Sequence, residues 1–251
     1  MAKTLERGDN MKLIIEINLS KSLSLPITYH GIIQGIIYNL LRDESGYSDF
    51  LHDQGQQYNG RGYKMFCYSD LKGKFTIRDK RICFLDTIKL EIRSIDEELI
   101  IRLEEAVNKR GVCFGDVVEV PTRVQREDKK IEVGALKIKM ISPITAYQTV
   151  PDTKWTRYYN PLEEEFEGLI QRNFQRKYTA YTGREAEGTI SLKAVSVGEQ
   201  DRCVTEFKQN KIRAWYGTYM LRGRPEYLNF LYQTGLGAKN GQGFGMFEEQ
   251  R

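Results

Sequence analysis

The chain has 251 residues, enough for one large domain or two of about 120 residues each. Hydrophobic residues make up 40% and charged residues 29%, which excludes intrinsic disorder. No apolar run reaches the ~20 residues of a membrane span and no signal-peptide pattern opens the chain, so a soluble cytoplasmic protein is expected. Cys67, Cys83, Cys113 and Cys203 are scattered, which argues against a disulfide framework or a zinc cluster and suits a reducing compartment. His30 and His52 are the only histidines, and the net charge is +4, mildly basic and compatible with a polyanionic partner.

Residues 1–10 carry no pattern and are expected to be a disordered leader or an extension ahead of a natural start at Met11. Met11 to Asn18 alternates as a strand, with Leu13, Ile15 and Ile17 on one face. Tyr29 to Arg42 changes period: Ile32, Ile33, Ile36, Ile37, Leu40 and Leu41 recur at helical spacing. Asp43 to Tyr63 reads as a long polar connection, a length that is often functional. Lys64 to Leu71, Lys74 to Arg78, Ile82 to Leu85 and Thr87 to Ile95 read as strands. Asp96 to Arg110 reads as a helix capped by Asp96 and closed by Gly111, and Val112 to Gln125 as extended. The charged run Arg126 to Lys130 marks a break.

The second half repeats the order. Ile131 to Ser142 is an expected strand and Pro161 to Tyr178 a helix with Pro in its first turn. Thr189 to Val197 and Cys203 to Phe207 are expected strands, and Lys211 to Leu221 is expected to pair back through a polar turn. Pro225 to Gln233 is a short helix, and Phe244 to Glu248 the last strand. Two βαββαβ halves imply an α+β fold of two tandem ferredoxin-like (RRM-like) domains, over 11–128 and 129–251, followed in the second by a glycine-rich loop.

That loop, GLGAKNGQGFG, sets Gly235, Gly237, Gly241, Gly243 and Gly245 among Lys239, Asn240 and Gln242. Bare N–H groups beside a lysine can cradle phosphate oxygens; the bland alternative is a flexible connection. The loop follows a helix and precedes a strand, the reverse of a Rossmann or Walker loop, which favours a polynucleotide backbone over a mononucleotide. Lys154 and Arg157 stand beside Trp155, Tyr158 and Tyr159, and Arg213 beside Trp215 and Tyr216, the mixture single-stranded nucleic acid needs. Tyr38, His52 and Lys64 gather around the first long connection. Singly, each has a bland reading: Tyr38 as a helix residue reaching water and His52 as a solvated loop histidine, in both cases the commoner fate, and Lys64 as ordinary surface charge.

Three stretches carry a resemblance: LPITYHGIIQGIIYNLL (Leu25 to Leu41), FLHDQG with GYKMFCYSDL (Phe50 to Leu71), and GLGAKNGQGFGMF (Gly235 to Phe247). With these the chain resembles the RAMP superfamily, and within it the CRISPR repeat-processing endoribonucleases. The glycine loop marks the superfamily and the N-terminal stretches its endoribonuclease branch. The resemblance implies catalysis by a tyrosine on the first helix, a histidine in the loop after it and a lysine at the next strand, here Tyr38, His52 and Lys64. The stretch DQGQQYNGRGY between His52 and Lys64 is longer than the family pattern, so His30 is retained as an alternative acid–base residue.

The implied reaction needs no metal and no cofactor. The RNA 2′-OH attacks the adjacent phosphate, giving a 2′,3′-cyclic phosphate and a 5′-OH. A histidine near its ordinary pKa of about 6.5 can donate the leaving-group proton, Tyr38 would orient or deprotonate the 2′-OH, and Lys64 would neutralise transition-state charge. Precursor CRISPR RNA is the implied partner; further effector subunits and a homodimer are left open. The competing reading is a non-catalytic RAMP-type subunit that clamps RNA. A nucleotide-binding metabolic enzyme is disfavoured by the loop order and the scarcity of carboxylate clusters.

Overall fold

The computed structural model of the protein describes residues 11–42, 56–150, 155–207 and 210–250. The expectations placed on residues 1–10, on His52 and on Lys154 lie outside the described residues. Among the described residues, no helix is long and apolar enough to cross a membrane.

The first lobe runs β1 (Met11–Asn18), β2 (Leu23–Pro26), α1 (His30–Leu40), β3 (Gln56–Tyr58), β4 (Arg61–Tyr63), β5 (Phe66–Tyr68), β6 (Lys72–Arg78), β7 (Arg81–Ser94), α2 (Glu97–Arg110), β8 (Val112–Phe114), β9 (Val117–Glu119) and β10 (Arg123–Asp128). The alternation in β1 does what its pattern implies: Leu13, Ile15 and Ile17 are buried in the lobe's core. On α1, Ile33, Ile36, Ile37 and Leu40 form the buried stripe, and on α2 Leu99, Ile100, Leu103 and Val107. Each such side chain contributes on the order of 1.5–3 kcal/mol by leaving water.

β1 lies between β10 and β7, antiparallel to both, with Ile15 opposite Val124 and Leu90. The second lobe runs β11 (Ala135–Met140), β12 (Tyr147–Thr149), β13 (Thr156–Tyr158), α3 (Glu164–Thr182), β14 (Ser191–Ser196), β15 (Arg202–Phe207), β16 (Asn210–Trp215), β17 (Thr218–Arg222), α4 (Pro225–Thr234) and β18 (Phe247–Glu249). Its sheet is ordered β14-β17-β11-β18. In each lobe the first strand therefore sits between the last and a central one, the ferredoxin-like arrangement the repeated pattern implies. β12 with β13, and β15 with β16, form two separate ribbons.

Several boundaries differ from the sequence reading. Ile82–Leu85 and Thr87–Ile95 join into the single strand β7, since neither Gly nor Pro interrupts them and β1, β2, β5 and β6 all pair along it. Arg126 to Asp128 end β10 and pair with β1 (Met11 opposite Asp128). The long connection contains the β3–β4 hairpin. Lys211 to Leu221 is two strands: at Gly217 φ is +104°, and a Cβ there would lie 2.8 Å from the Ser196 carbonyl oxygen. The chain turns there from the ribbon into the sheet. Helix α3 starts at Glu164, after a turn at Pro161, and Gly183 closes it in the left-handed conformation.

The lobes share a buried seam. Arg93, 2% exposed, pairs with Glu91 at 2.5 Å, donates to the Phe247 carbonyl at 2.6 Å and lies 3.7 Å from the Tyr232 ring centroid. Burial pushes the Glu91 carboxyl up, but the guanidinium outweighs it and holds it below its ordinary value. Helix α4 touches β5 and β7 as well as its own lobe.

Candidate functional site

The glycine loop is part of this seam. Gly241 faces β5's approach: a Cβ there would meet Lys64 Cβ at 3.0 Å and the Phe66 ring at 3.4 Å. At Gly243 a Cβ would lie 2.7 Å from the Tyr68 ring, and at Gly245 only 1.9 Å from the Leu236 carbonyl oxygen. Gly235, Gly237, Gly243 and Gly245 also have positive φ, so these positions require glycine for conformation and close approach. The expected phosphate cradle is thereby corrected in part. The N–H groups of Gly235, Gln242, Gly243 and Gly245 are bonded to carbonyls of Leu231, Lys239, Asn240 and Pro143, so they are occupied within the fold.

The rest of the loop, Gly237 to Gln242, forms one wall of a cleft of about 300 Å³ between the lobes. Helix α3 supplies the opposite wall. Its Arg172 and Arg176 stand one turn apart and are exposed. Arg61 enters from β4 because Asn59 and Gly60 take positive φ (48° and 71°) and close the β3–β4 hairpin tightly. With Lys64, Lys177 and Lys239, six basic side chains line this cleft, and among the described residues no Asp or Glu does. Such a wall attracts a polyanion.

Lys177 is 1% exposed and donates to the carbonyls of Thr234 (3.2 Å) and Gly235 (2.5 Å) and to Asn240 Oδ1 (3.0 Å). Burial pulls its ammonium down to about 7. Asn240 Nδ2 in turn donates to the carbonyls of Leu236 and Phe244. This clip fixes the loop's path, so Asn240 acts within the loop. Burial also lowers Lys239, whose ammonium lies 5.0 Å from the Tyr147 ring centroid. Two amide oxygens in the cleft wall, Asn173 Oδ1 and Gln242 Oε1, are buried without a hydrogen-bond partner. Each leaves about 1–3 kcal/mol of desolvation unrecovered until a ligand or water donates to it.

Helix α1 borders the same corner. Gln34 Nε2 donates to the Gly241 carbonyl at 2.6 Å. Tyr38, one turn further along, sets its ring edge-on to Phe66 at 6.4 Å. Lys64 lines the cleft, and Tyr38 packs against Phe66, which flanks Gly241 as Lys64 does; Tyr38 itself is not among the lining residues. Burial pushes the Tyr38 phenol up to about 12, so it is a hydrogen-bonding group at neutral pH, not a phenolate base.

His30 sits elsewhere. It is 8% exposed at the start of α1, under Gly243 and Phe244 (ring centroids 5.5 Å). Its Nε2 is 2.7 Å from Asp70 Oδ1, and Asp70 Oδ2 accepts the Tyr216 hydroxyl at 2.5 Å. Eight residues, about 12 Å of helix rise, separate it from Tyr38. Arg157 and Arg213 lie away from the cleft, at a second concavity.

Sequence reading missed Gln34, Arg61, Arg172, Asn173, Arg176 and Lys177. The dipeptide Asn59-Gly60 was the available sign of the hairpin that brings Arg61 in. The i, i+4 spacing of Arg172 and Arg176 was a weaker one.

Residues 125–249 match the family model described as CRISPR associated protein Cas6, C-terminal. A Pyrococcus furiosus protein named CRISPR-associated endoribonuclease Cas6 is 24% identical over 244 residues, spanning 90% of this chain and 84% of that one. Among solved structures, a Cas6-related gene product of Pyrococcus furiosus superposes with a TM-score of 0.82 at 19% identity, over 97% of this chain and 99% of that one. An RAMP protein binding different RNA substrates superposes with a TM-score of 0.81 at 20% identity, over 96% and 100%. The two ferredoxin-like lobes and their buried glycine loop have the fold of these RAMP-type structures, and residues 125–249, about half of the chain, belong to the Cas6 family of CRISPR-associated proteins.

Proposed function

We propose that the protein is an endoribonuclease that cuts precursor CRISPR RNA within its repeats, without a metal ion. The observation that carries this reading is the interlobe cleft, lined among the described residues by six basic side chains, Lys64 included, and no carboxylate, with Tyr38 packed on Phe66 two residues from Lys64. A single RNA strand fits such a groove through its phosphates, and Asn173 and Gln242 offer acceptors to its hydroxyl or amino groups.

The ribose 2′-oxygen attacks the neighbouring phosphorus, and the bond from phosphorus to the 5′-oxygen breaks. The 2′-hydroxyl proton leaves to solvent or a base, and the departing 5′-oxygen takes a proton from a general acid. The products are a 2′,3′-cyclic phosphate and a 5′-hydroxyl. Tyr38, with its phenol held protonated by burial, orients the 2′-hydroxyl, and Lys64 stabilises charge gathering on the phosphorane. The family resemblance assigns the acid to His52, outside the described residues. His30 is the weaker candidate, because Asp70 already engages its Nε2 and it lies under the glycine loop.

The second reading is a subunit that grips CRISPR RNA without cutting it. The burial of His30 favours it over an enzyme that would rely on that residue. Incubation of the protein with repeat-containing RNA in excess EDTA separates the two. Cleavage that survives the chelator, and stops when the nucleotide 5′ of the cut is 2′-deoxy, supports the nuclease. Tight binding without cleavage supports the clamp, and cleavage that requires a divalent ion contradicts the mechanism.

A further inference from the structure

Outside the cleft, the β12–β13 and β15–β16 ribbons enclose a second concavity of about 470 Å³, lined by Trp155, Arg157, Tyr158, Glu163, Lys211 and Arg213. Trp155 is 59% exposed, unusual for so large an apolar surface. On β16, Ile212 and Ala214 are buried while Lys211 and Arg213 point to solvent, as strand alternation requires. Arg157 pairs with Glu163 at 2.6 Å and lies 4.4 Å from the Tyr159 ring centroid. Among the described residues, three cations stand against this one carboxylate.

This concavity is joined to the cleft. Lys239 stands over the Tyr147 ring, and Tyr147, which lines the cleft, meets Tyr158 of the second concavity with ring centroids 5.6 Å apart. The Thr145 hydroxyl, also in the cleft wall, donates to the Arg213 carbonyl at 2.8 Å. Cations and flat rings therefore continue from Lys64 and Arg176 through Lys239 and Tyr147 to Tyr158, Trp155 and Arg213. Phosphates ask for the first and unpaired bases for the second.

We propose that these ribbons are a docking surface for single-stranded RNA leaving the cleft, with one nucleobase stacked on Trp155 and backbone phosphates held by Lys211, Arg213 and Arg157. The inference rests on the RNA-processing reading and extends it to a segment of strand beyond the cut.

The chain's second tryptophan, Trp215, is only 4% exposed, so tryptophan quenching by a stacked base reports Trp155. The full chain is titrated with a 20-nucleotide single-stranded RNA of mixed sequence, read by intrinsic fluorescence and by anisotropy of a labelled strand. Wild type is expected to be quenched on binding. Trp155→Ala is expected to bind about 5- to 100-fold more weakly, and Lys211→Glu to weaken binding while Trp155 still reports. Both variants are expected to keep the wild-type melting temperature. RNA that binds wild type without quenching, and binds Trp155→Ala equally well, overturns the ribbon surface and leaves the cleft reading standing. RNA that binds none of the three proteins overturns both.

Discussion

Replacing Gly245 with alanine tests whether the loop's glycines serve close packing. At Gly245 φ is +82°, and the added Cβ would start 1.9 Å from the Leu236 carbonyl oxygen and 2.7 Å from Asn240 Nδ2. The left-handed backbone costs an L-residue about 1–2 kcal/mol. Moving the Leu236 carbonyl by the ångström needed strains two bonds, from Leu236 N to the Gly245 carbonyl (2.8 Å) and from Asn240 Nδ2 to the Leu236 carbonyl (3.0 Å). At about 1 kcal/mol each, the sum is about 3–4 kcal/mol. Gly115→Ala is the control: φ is +64° there, but nothing lies within 4 Å of the new Cβ, so only the backbone cost of about 1–2 kcal/mol applies. For a chain of this size 1 kcal/mol corresponds to about 2–4 °C of melting temperature. Thermal unfolding by circular dichroism is expected to drop by about 6–16 °C for Gly245→Ala and by about half that or less for Gly115→Ala. Equal drops would refute the packing argument and return the loop to the role of an open cradle.

Two further outcomes follow from the cleft. Burial lowers Lys177 from 10.5 to about 7, so between those values the unfolded chain holds the proton more often than the folded one, and stability from this residue rises with pH. Below pH 7 both states are protonated and the burial cost is fully present. Lys177→Met strands the Asn240 Oδ1, Thr234 and Gly235 acceptors, at an expected cost on the order of 1–3 kcal/mol. Urea midpoints should show wild type gaining on the variant between pH 7 and 9.5; parallel curves would contradict the lowered lysine. Arg176→Ala should weaken single-stranded RNA binding and reduce the slope of log affinity against log salt by about 0.7, one phosphate contact. An unchanged slope would mean that the strand does not touch α3.

The α1 and α2 helices and the β1 strand were legible because one period dominates each: Ile33, Ile36 and Ile37 can share a buried face only on a helix, and Leu13, Ile15 and Ile17 only on a strand. The repeated order of elements was enough for the ferredoxin-like class. The path of Lys211 to Leu221 was not legible, because its alternation is the same in one strand or two and the break depends on Gly217 meeting Ser196. The packing role of the loop was not legible for a related reason. A glycine-rich run looks alike whether its N–H groups face a ligand or its missing Cβ atoms make room for Lys64 and Tyr68, and only tertiary contacts decide. Arg172, Arg176 and Lys177 read as an ordinary helix surface until the loop across from them is in place. Tyr38 and Lys64 stood out only through the family resemblance, since their separation in sequence says nothing of their common neighbour Phe66.

The central claim is that the strand is cut at the end of the cleft where Lys64 meets the glycine loop, beside Phe66 and the Tyr38 packed on it. The most direct test is the single-turnover rate of Lys64→Ala on saturating repeat RNA, with affinity measured alongside. The expected result is a rate lower by at least about tenfold with affinity within a few-fold of wild type, since one basic side chain of six supplies little of the binding and its charge acts on the transition state. Wild-type cleavage by Lys64→Ala would contradict the account.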